Sequence, residues 1–565
     1  MENRSKKIEE LFRRGILAKE DLLAKEITSE VLDLLEQETD LLVLNADDID
    51  AIAKQTTLVN WYEIDSSRVA AEKERDDELY QASLQLFKKS SLSLNPSPVS
   101  TTKHDVSSLE TTIEENAEEV NFTTSIHFTN SIDLFQGDEE SKNLSPETSK
   151  VTIVLSYENK PHKYDISDFT RFFISRHSFL EGLLRQRREL QHTLTINRIL
   201  GKKERENISL IGIIEEITKT KTGNLIISIE DLTGRIKIII SKNKKDLFRL
   251  SQDLIVDEVV GITGKISDGV VFVENIFWPD IPSNHELKKS ERDDYVLFLS
   301  DVHVGSALFL EEEFERFIQW LNGSIGNETQ RGIASKVKYI FIAGDLVDGV
   351  GVYPSQEEEL KIKDIKEQYR EFSRLIRQIP TAIKIIICPG NHDVVHLAEP
   401  QPVFDPRFSP DLFDLPNLEI VTNPAVVNIG KTSTFPGFDV LMYHGFSFDY
   451  YVANVDSIRL AGGYHRADMI MKFLLKRRHL APAFKSTPYC PSYEEDPLLI
   501  KIVPDFFVTG HIHYSCVANY HGITMISGSC WQNKTTFQEK LGHEPEPARV
   551  PAINLKTREI KILRF

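Results

Sequence analysis

The sequence predicts a multidomain chain: a large α/β sandwich in the carboxy-terminal half, a small β-barrel before it, and a small α-helical domain at the amino terminus. Three observations carry this reading. The 565 residues exceed what one hydrophobic core organises. Beyond residue 290, short apolar runs alternate with helical stretches, the pattern of layered α/β structure. Between Ile208 and Phe277 the pattern is instead five β-rich segments separated by turn signals.

From Lys6 to about Lys54, apolar residues recur at helical spacing (Ile8, Leu11, Phe12; Leu22, Leu23, Ile27; Val31, Leu32, Leu35), which predicts a small helical domain over 1–85. Residues 86–150 are rich in Ser, Thr, Asn, Asp and Glu without a sustained period, and read as a disordered acidic linker. Its stretch 105–150 holds eleven Asp/Glu against two Lys, nearly half of the net charge of -19. The rest of the chain is only mildly acidic, so composition does not exclude a nucleic-acid partner.

Order resumes near Val151. Residues 151–206 read as a basic helical connector, with Phe169–Leu190 helical and Arg185, Arg187 and Arg188 close together. The segments SLIGIIEEI, GNLIISIED, GRIKIIIS, EVVGITGKI and GVVFVENIF place five strands within 207–285, which suits a β-barrel OB fold. Such a fold binds single strands when aromatic rings stack on bases. Few aromatics precede Phe272, so a structural or protein-docking role stands equally open.

The four cysteines, at 388, 490, 516 and 530, form no CxxC pair, which argues against a disulfide framework or a zinc ribbon. No signal-peptide pattern opens the chain, and no apolar run approaches the ~18 residues of a membrane span. A cytoplasmic location without a membrane contact is expected.

Within 290–565, polar motifs follow the apolar runs directly: Asp301-Val-His303, Gly344-Asp345-Leu-Val-Asp348, Gly390-Asn391-His392-Asp393, Tyr443-His444-Gly445 and Gly510-His511-Ile-His513. Each alone is weak. Five in order, each at the end of a β-like run, predict convergence at one sheet edge, where ligands of α/β folds collect. Carboxylates mixed with imidazoles and no thiolate suit two divalent metal ions, Mn2+ first, with Fe or Zn as alternatives. Two such ions about 3.5–4 Å apart clamp a phosphate, and one carboxylate must bridge them.

This array resembles the calcineurin-like metallophosphoesterase superfamily over about 270 residues. The resemblance implies that Asp301, His303, Asp345 and His513 hold one metal, and that Asp345, Asn391, His444 and His511 hold the second, with Asp345 bridging. It also implies that His392 contacts the scissile phosphate and protonates the leaving oxygen. Asp393 would orient that imidazole. Asp348 is open between an orienting role and a plain loop carboxylate.

The domain order, together with Phe173–His177 (FISRH) and the carboxy-terminal PARVPAINLKTREIKIL segment, resembles the small subunits of archaeal family D DNA polymerase over most of 151–565. That likeness implies a 3′–5′ exonuclease serving DNA replication. Its partners would be a large catalytic polymerase subunit, DNA with a single-stranded 3′ end, and the sliding clamp as a further candidate. Residues 459–485 carry seven Lys/Arg against Asp468 alone, and Lys476, Arg477 and Arg478 are the expected DNA contacts. A free-standing repair nuclease, a non-catalytic structural subunit and a phosphoprotein phosphatase remain the rival readings.

Overall fold

The computed structural model describes residues 17–18, 43–44, 151–157, 163–202, 205–491 and 495–565. The chain divides into two units, Met1–Gln136 and Gly137–Phe565. In the first, Leu17–Ala18 pairs in parallel with Val43–Leu44. The expected helical domain and acidic linker otherwise lie outside the described residues.

The second unit opens with β1 (Val151–Leu155) and α1 (Ile166–Leu184). Asp165 caps α1 by accepting from the amides of Ser167 and Asp168, and Asp168 reaches back to the Asp165 amide. Five strands then close a barrel: β2 (Asn207–Lys219), β3 (Leu225–Asp231), β4 (Gly234–Ile240), β5 (Val259–Ser267) and β6 (Val270–Phe277), in the order β2-β3-β4-β6-β5. Their alternating Ile, Leu and Val side chains, such as Ile227, Ile229, Ile236, Ile238 and Ile240, fill the interior. The helix α2 (Lys245–Ser251) joins β4 to β5.

Two six-stranded sheets follow. The first runs β10-β9-β8-β7-β16-β17, made of β7 (Tyr295–Leu299), β8 (Val337–Ala343), β9 (Lys384–Cys388), β10 (Leu418–Ile420), β16 (Arg549–Asn554) and β17 (Ile560–Arg564). The second runs β14-β15-β13-β12-β11-β1, with β11 (Ala425–Ile429), β12 (Phe438–Met442), β13 (Phe506–Thr509), β14 (Cys516–Tyr520) and β15 (Ile523–Ser527).

The period-two alternation of strands builds the sandwich. Val296, Phe298, Phe341 and Ile386 of the first sheet face Val427, Val440, Phe506 and Val508 of the second. The opposite face of the first sheet, including Leu297, Leu299, Ile340 and Ile342, is covered by α3 (Glu311–Leu321) and α4 (Ile365–Ile376). Leu441 and Phe507 of the second meet α5 (Phe448–Asn454) and α6 (Ala467–Arg477). Sheet on sheet, with helices outside, is the α/β sandwich the sequence predicts.

One segment differs from its sequence reading. Residues 151–155, read as the start of a helical connector, form the edge strand of the second sheet, antiparallel to β11. Their middle side chains are exposed and only Val151 and Leu155 pack inward, so the backbone ladder does most of the holding, and hydrophobic pattern alone could not assign them. Among the described residues no helix is long and apolar enough to cross a membrane.

Candidate metal centre

Every polar motif leaves its strand at the same edge of the sandwich. Asp301 and His303 follow β7, Asp345 follows β8, Asn391 and His392 follow β9, His444 follows β12, and His511 and His513 follow β13. Asp301, His303, Asp345, His511 and His513 all have positive φ, between 51° and 71°. L residues reach that region at a cost of about 1–3 kcal/mol each, and such strain concentrates where surrounding structure fixes functional side chains.

Glycine is required where the motif loops close on each other. A Cβ at Gly390 would lie 2.2 Å from Asp345 Oδ1, and one at Gly510 would lie 2.4 Å from Asp301 Oδ2.

The side chains converge on two adjoining nests, with a third group of His303, Asp348 and His392 beside them. Asp301, His303 and His513 form one nest, and Asp301, Asp345 and His444 the other. His303 Nε2 is 3.0 Å from His513 Nε2, and His513 Nε2 is 3.4 Å from Asp301 Oδ1. Asp345 Oδ2 stands between the two sets, 3.3 Å from His444 Nε2 and 3.9 Å from His303 Nε2. Asn391 Oδ1 is 3.0 Å from His444 Nε2.

Each imidazole is held from behind by its other nitrogen. His303 Nδ1 is 3.1 Å from Asp348 Oδ1, His444 Nδ1 is 2.8 Å from the Ala343 carbonyl, and His513 Nδ1 is 3.0 Å from Gln538 Nε2. His511 Nε2 is bonded to Asp449 at 3.0 Å, which leaves its Nδ1 as the nitrogen for a ligand. Asp348 in turn accepts from Gln356 and Gln532. None of Asp449, Gln356, Gln532 or Gln538 stands in a motif, so local sequence gave no signal for them.

The electrostatics fit a cation. Burial alone would raise the Asp345 carboxyl, yet His444, His392 and His303 outweigh it and hold the group well below its ordinary range. Burial likewise opposes ionisation of Asp301 and Asp348, and His513 and His303 respectively reverse it. Three buried carboxylates are thus held ionised, and among the described residues their ion-pair partners are histidines alone. Hard oxygen donors and imidazole nitrogens in this number suit divalent transition metals.

Two sequence expectations need correction. Asp393 does not orient His392: its carboxylate accepts from the amides of Gly390 and Leu346 and from the Tyr369 hydroxyl, and so pins the loop. The Asp348 carbonyl, 2.7 Å from His392 Nδ1, holds the imidazole instead. Burial, then the nearby Asp345 charge, raises Asp393 to about 7.

Arg477 and Arg478 are not DNA contacts either, for both are 3% exposed and committed to the barrel junction. Arg477 Nε meets Glu258 Oε2 at 2.7 Å, and Arg478 donates to the carbonyls of Ile500 and Lys501. Lys476 is half-buried, with its ammonium 3.7 Å from the centre of the Trp278 ring.

The Calcineurin-like phosphoesterase family matches residues 295–515. The chain is also similar to proteins described as "DNA polymerase II small subunit". That of Methanothermobacter thermautotrophicus is 38% identical over 401 residues, covering 71% of this chain and 80% of its relative. Those of Methanocaldococcus jannaschii and Archaeoglobus fulgidus are each 40% identical, covering 69% and 71% of this chain and 64% and 78% of their own length.

Proposed function

The chain belongs to the archaeal DNA polymerase II small-subunit family, and from that premise we propose that its phosphoesterase domain is a two-metal 3′–5′ exonuclease working beside a large catalytic polymerase subunit on DNA. The observation that carries the proposal is Asp345, one carboxylate oxygen within 3.9 Å of imidazoles from both nests. In this reading Asp301, His303, Asp345 and His513 hold one ion, and Asp345, Asn391, His444 and His511 the other. Bound, such a pair supplies Lewis acidity, polarising the phosphate and activating water.

The protein's own groups do the rest. His392 donates Nδ1–H to the Asp348 carbonyl, which presents Nε2 to the phosphate. In the imidazolium form, with a proton on each nitrogen, Nε2–H would bond the phosphate and give that proton to the leaving oxygen, returning the ring to neutral. Burial lowers the His392 pKa, and Asp345 only partly opposes this. Asp301 also accepts the His511 amide, which locks the last motif loop onto the first.

The barrel's strand order and the helix between its third and fourth strands support an OB reading. Its junction with the phosphoesterase is fixed by Glu258, which meets the Trp278 indole and Arg477. Two domains joined through buried contacts of this kind suit docking of the large subunit.

The test uses single-stranded DNA labelled at either end, with Mn2+ and the purified chain. Stepwise shortening from the 3′ end, abolished in a folded Asp345→Ala variant, is expected. Near-normal hydrolysis by that variant rejects the bridging role, and activity on phosphopeptides but not DNA rejects the substrate.

A further inference from the structure

An apolar rim borders the charged centre on the His392 side. Gly349 adopts φ 75°, and a Cβ there would strike the His392 carbonyl oxygen at 2.4 Å, so the loop 349–353 lies tight against the catalytic motif. From this loop Val350 and Val352 remain 46% and 38% exposed. The Tyr353 ring is 6.2 Å from the His392 ring and stacks on Phe537, with centroids 5.2 Å apart and planes 19° from parallel.

Phe537 belongs to α7 (Thr536–Leu541), whose Gln538 touches His513, so the ring pair lies along the rim beside His392 and His513, the two imidazoles that flank His303.

Both rings are fixed in advance. Glu359 accepts the Tyr353 hydroxyl at 2.8 Å through one carboxylate oxygen and the Thr536 amide at 3.1 Å through the other. One carboxylate thereby ties the loop to α7. Phe537 is still 38% exposed, although one of its faces is covered by Tyr353. Exposed aromatic surface with a preset orientation costs little to organise on binding, and it recognises flat, π-bearing partners without regard to their edges.

We propose that Tyr353 and Phe537 form a stacking platform for the nucleobase of the nucleotide adjoining the scissile phosphate. The proposal rests on the DNA-hydrolase reading and names the part of the strand the site grips. Position favours a base over a protein side chain: a protein segment seated here would stand in front of His392 and close the centre to phosphate. A base attached to the phosphate being cut reaches the rim without obstructing it. Stacking is tolerant of base identity, so the platform gives grip on any sequence and loses that grip where the base is missing.

The experiment compares the full chain with Phe537→Ala and Phe537→Trp. Two substrates are used with Mn2+: single-stranded DNA ending in an ordinary nucleotide, and the same strand ending in an abasic residue. Phe537→Ala is expected to raise KM about tenfold for the base-ended strand, with kcat little changed, and to leave the abasic strand unaffected. Phe537→Trp should restore the parent value. An equal penalty on both strands, or none on either, overturns the platform.

A second readout needs no turnover. In EDTA, a strand carrying 2-aminopurine at its 3′ end should lose fluorescence on binding, and Phe537→Ala should abolish that quenching. Quenching that survives Phe537→Ala overturns the platform whatever the cleavage data. A parent chain that cuts neither strand, yet quenches through Phe537, instead sinks the exonuclease reading and leaves the platform standing.

Discussion

Asp348 Oδ1 lies 3.1 Å from His303 Nδ1, so a carboxylate at the end of one motif sets the ring of another, 45 residues away. The same contact keeps His303 above the ordinary histidine range: burial pulls it down and the Asp348 bond overrides that. With Nδ1 so engaged, Nε2 is the nitrogen presented to the nest. Partners of this kind are worth about 10–100-fold in metal affinity. Asp348→Asn should therefore raise the Mn2+ concentration for half-maximal hydrolysis by about that factor, with activity largely recovered at saturation. An unchanged titration would show that His303 needs no such support.

Asp393 is expected to act on the loop and not on the imidazole. The Tyr369 hydroxyl donates to Asp393 and also accepts from the Val394 amide. Tyr369→Phe should lower stability by about 1–3 kcal/mol, measured by urea unfolding, because it strands a buried Asp393 oxygen and the partly buried Val394 amide. The acidic limb of the kcat/KM pH profile should stay in place in Tyr369→Phe. A displaced limb would restore Asp393 as an active partner of His392.

The Glu258–Arg477 pair should behave as a buried ion pair. Arg477→Ala leaves Glu258 2% exposed and without its counter-charge, at a cost of about 3–5 kcal/mol. The double variant Glu258→Leu with Arg477→Met should recover only part of that loss, because it removes the unpaired charge but strands the buried Ile255 amide and Trp278 indole N–H that Glu258 accepts. Chemical denaturation reads both. Weaker DNA binding by Arg477→Ala with an unaltered Tm would return Arg477 to the DNA-contact class.

Acid sensitivity should come from the junction where Arg176, His479 and Asp496 meet, with 2.7 Å from Asp496 to each partner. Burial, then the Arg176 charge, lowers His479 from 6.5 to about 4. Burial opposes ionisation of Asp496, but His479 and Arg176 outweigh it and bring the group from 3.8 to about 2. In both cases the unfolded chain takes up its proton at the higher pH, so unfolding binds protons and stability falls as pH falls. The His479 part of the loss spans 6.5 to about 4, and the Asp496 part spans 3.8 to about 2. Urea midpoints from pH 7 to pH 4 should decline in the parent and flatten in His479→Gln. A parallel decline in both would place the acid sensitivity elsewhere.

What was legible in the sequence was whatever short range encodes. The β-runs and the GD, GN and GH motifs are local patterns, and they located the sandwich, the barrel strands and the converging side chains. What was not legible depends on direction and burial. Asp393 sits next to His392 in sequence, yet its carboxylate turns toward Gly390 and Leu346, and adjacency says nothing about that. Arg477 and Arg478 raise the local charge count, but a count cannot tell a solvated cation from one enclosed against Glu258. Asp449 meets His511 across 62 residues, with no pattern at either end to announce it.

The central claim is that one carboxylate holds two ions together, and metal content tests it most directly. Purified chain equilibrated with Mn2+, freed of excess and measured by elemental analysis should hold two equivalents, and Asp345→Ala should hold one or none while keeping its far-ultraviolet circular dichroism. A parent chain that retains no metal, or an Asp345→Ala chain that retains both ions, would contradict the account.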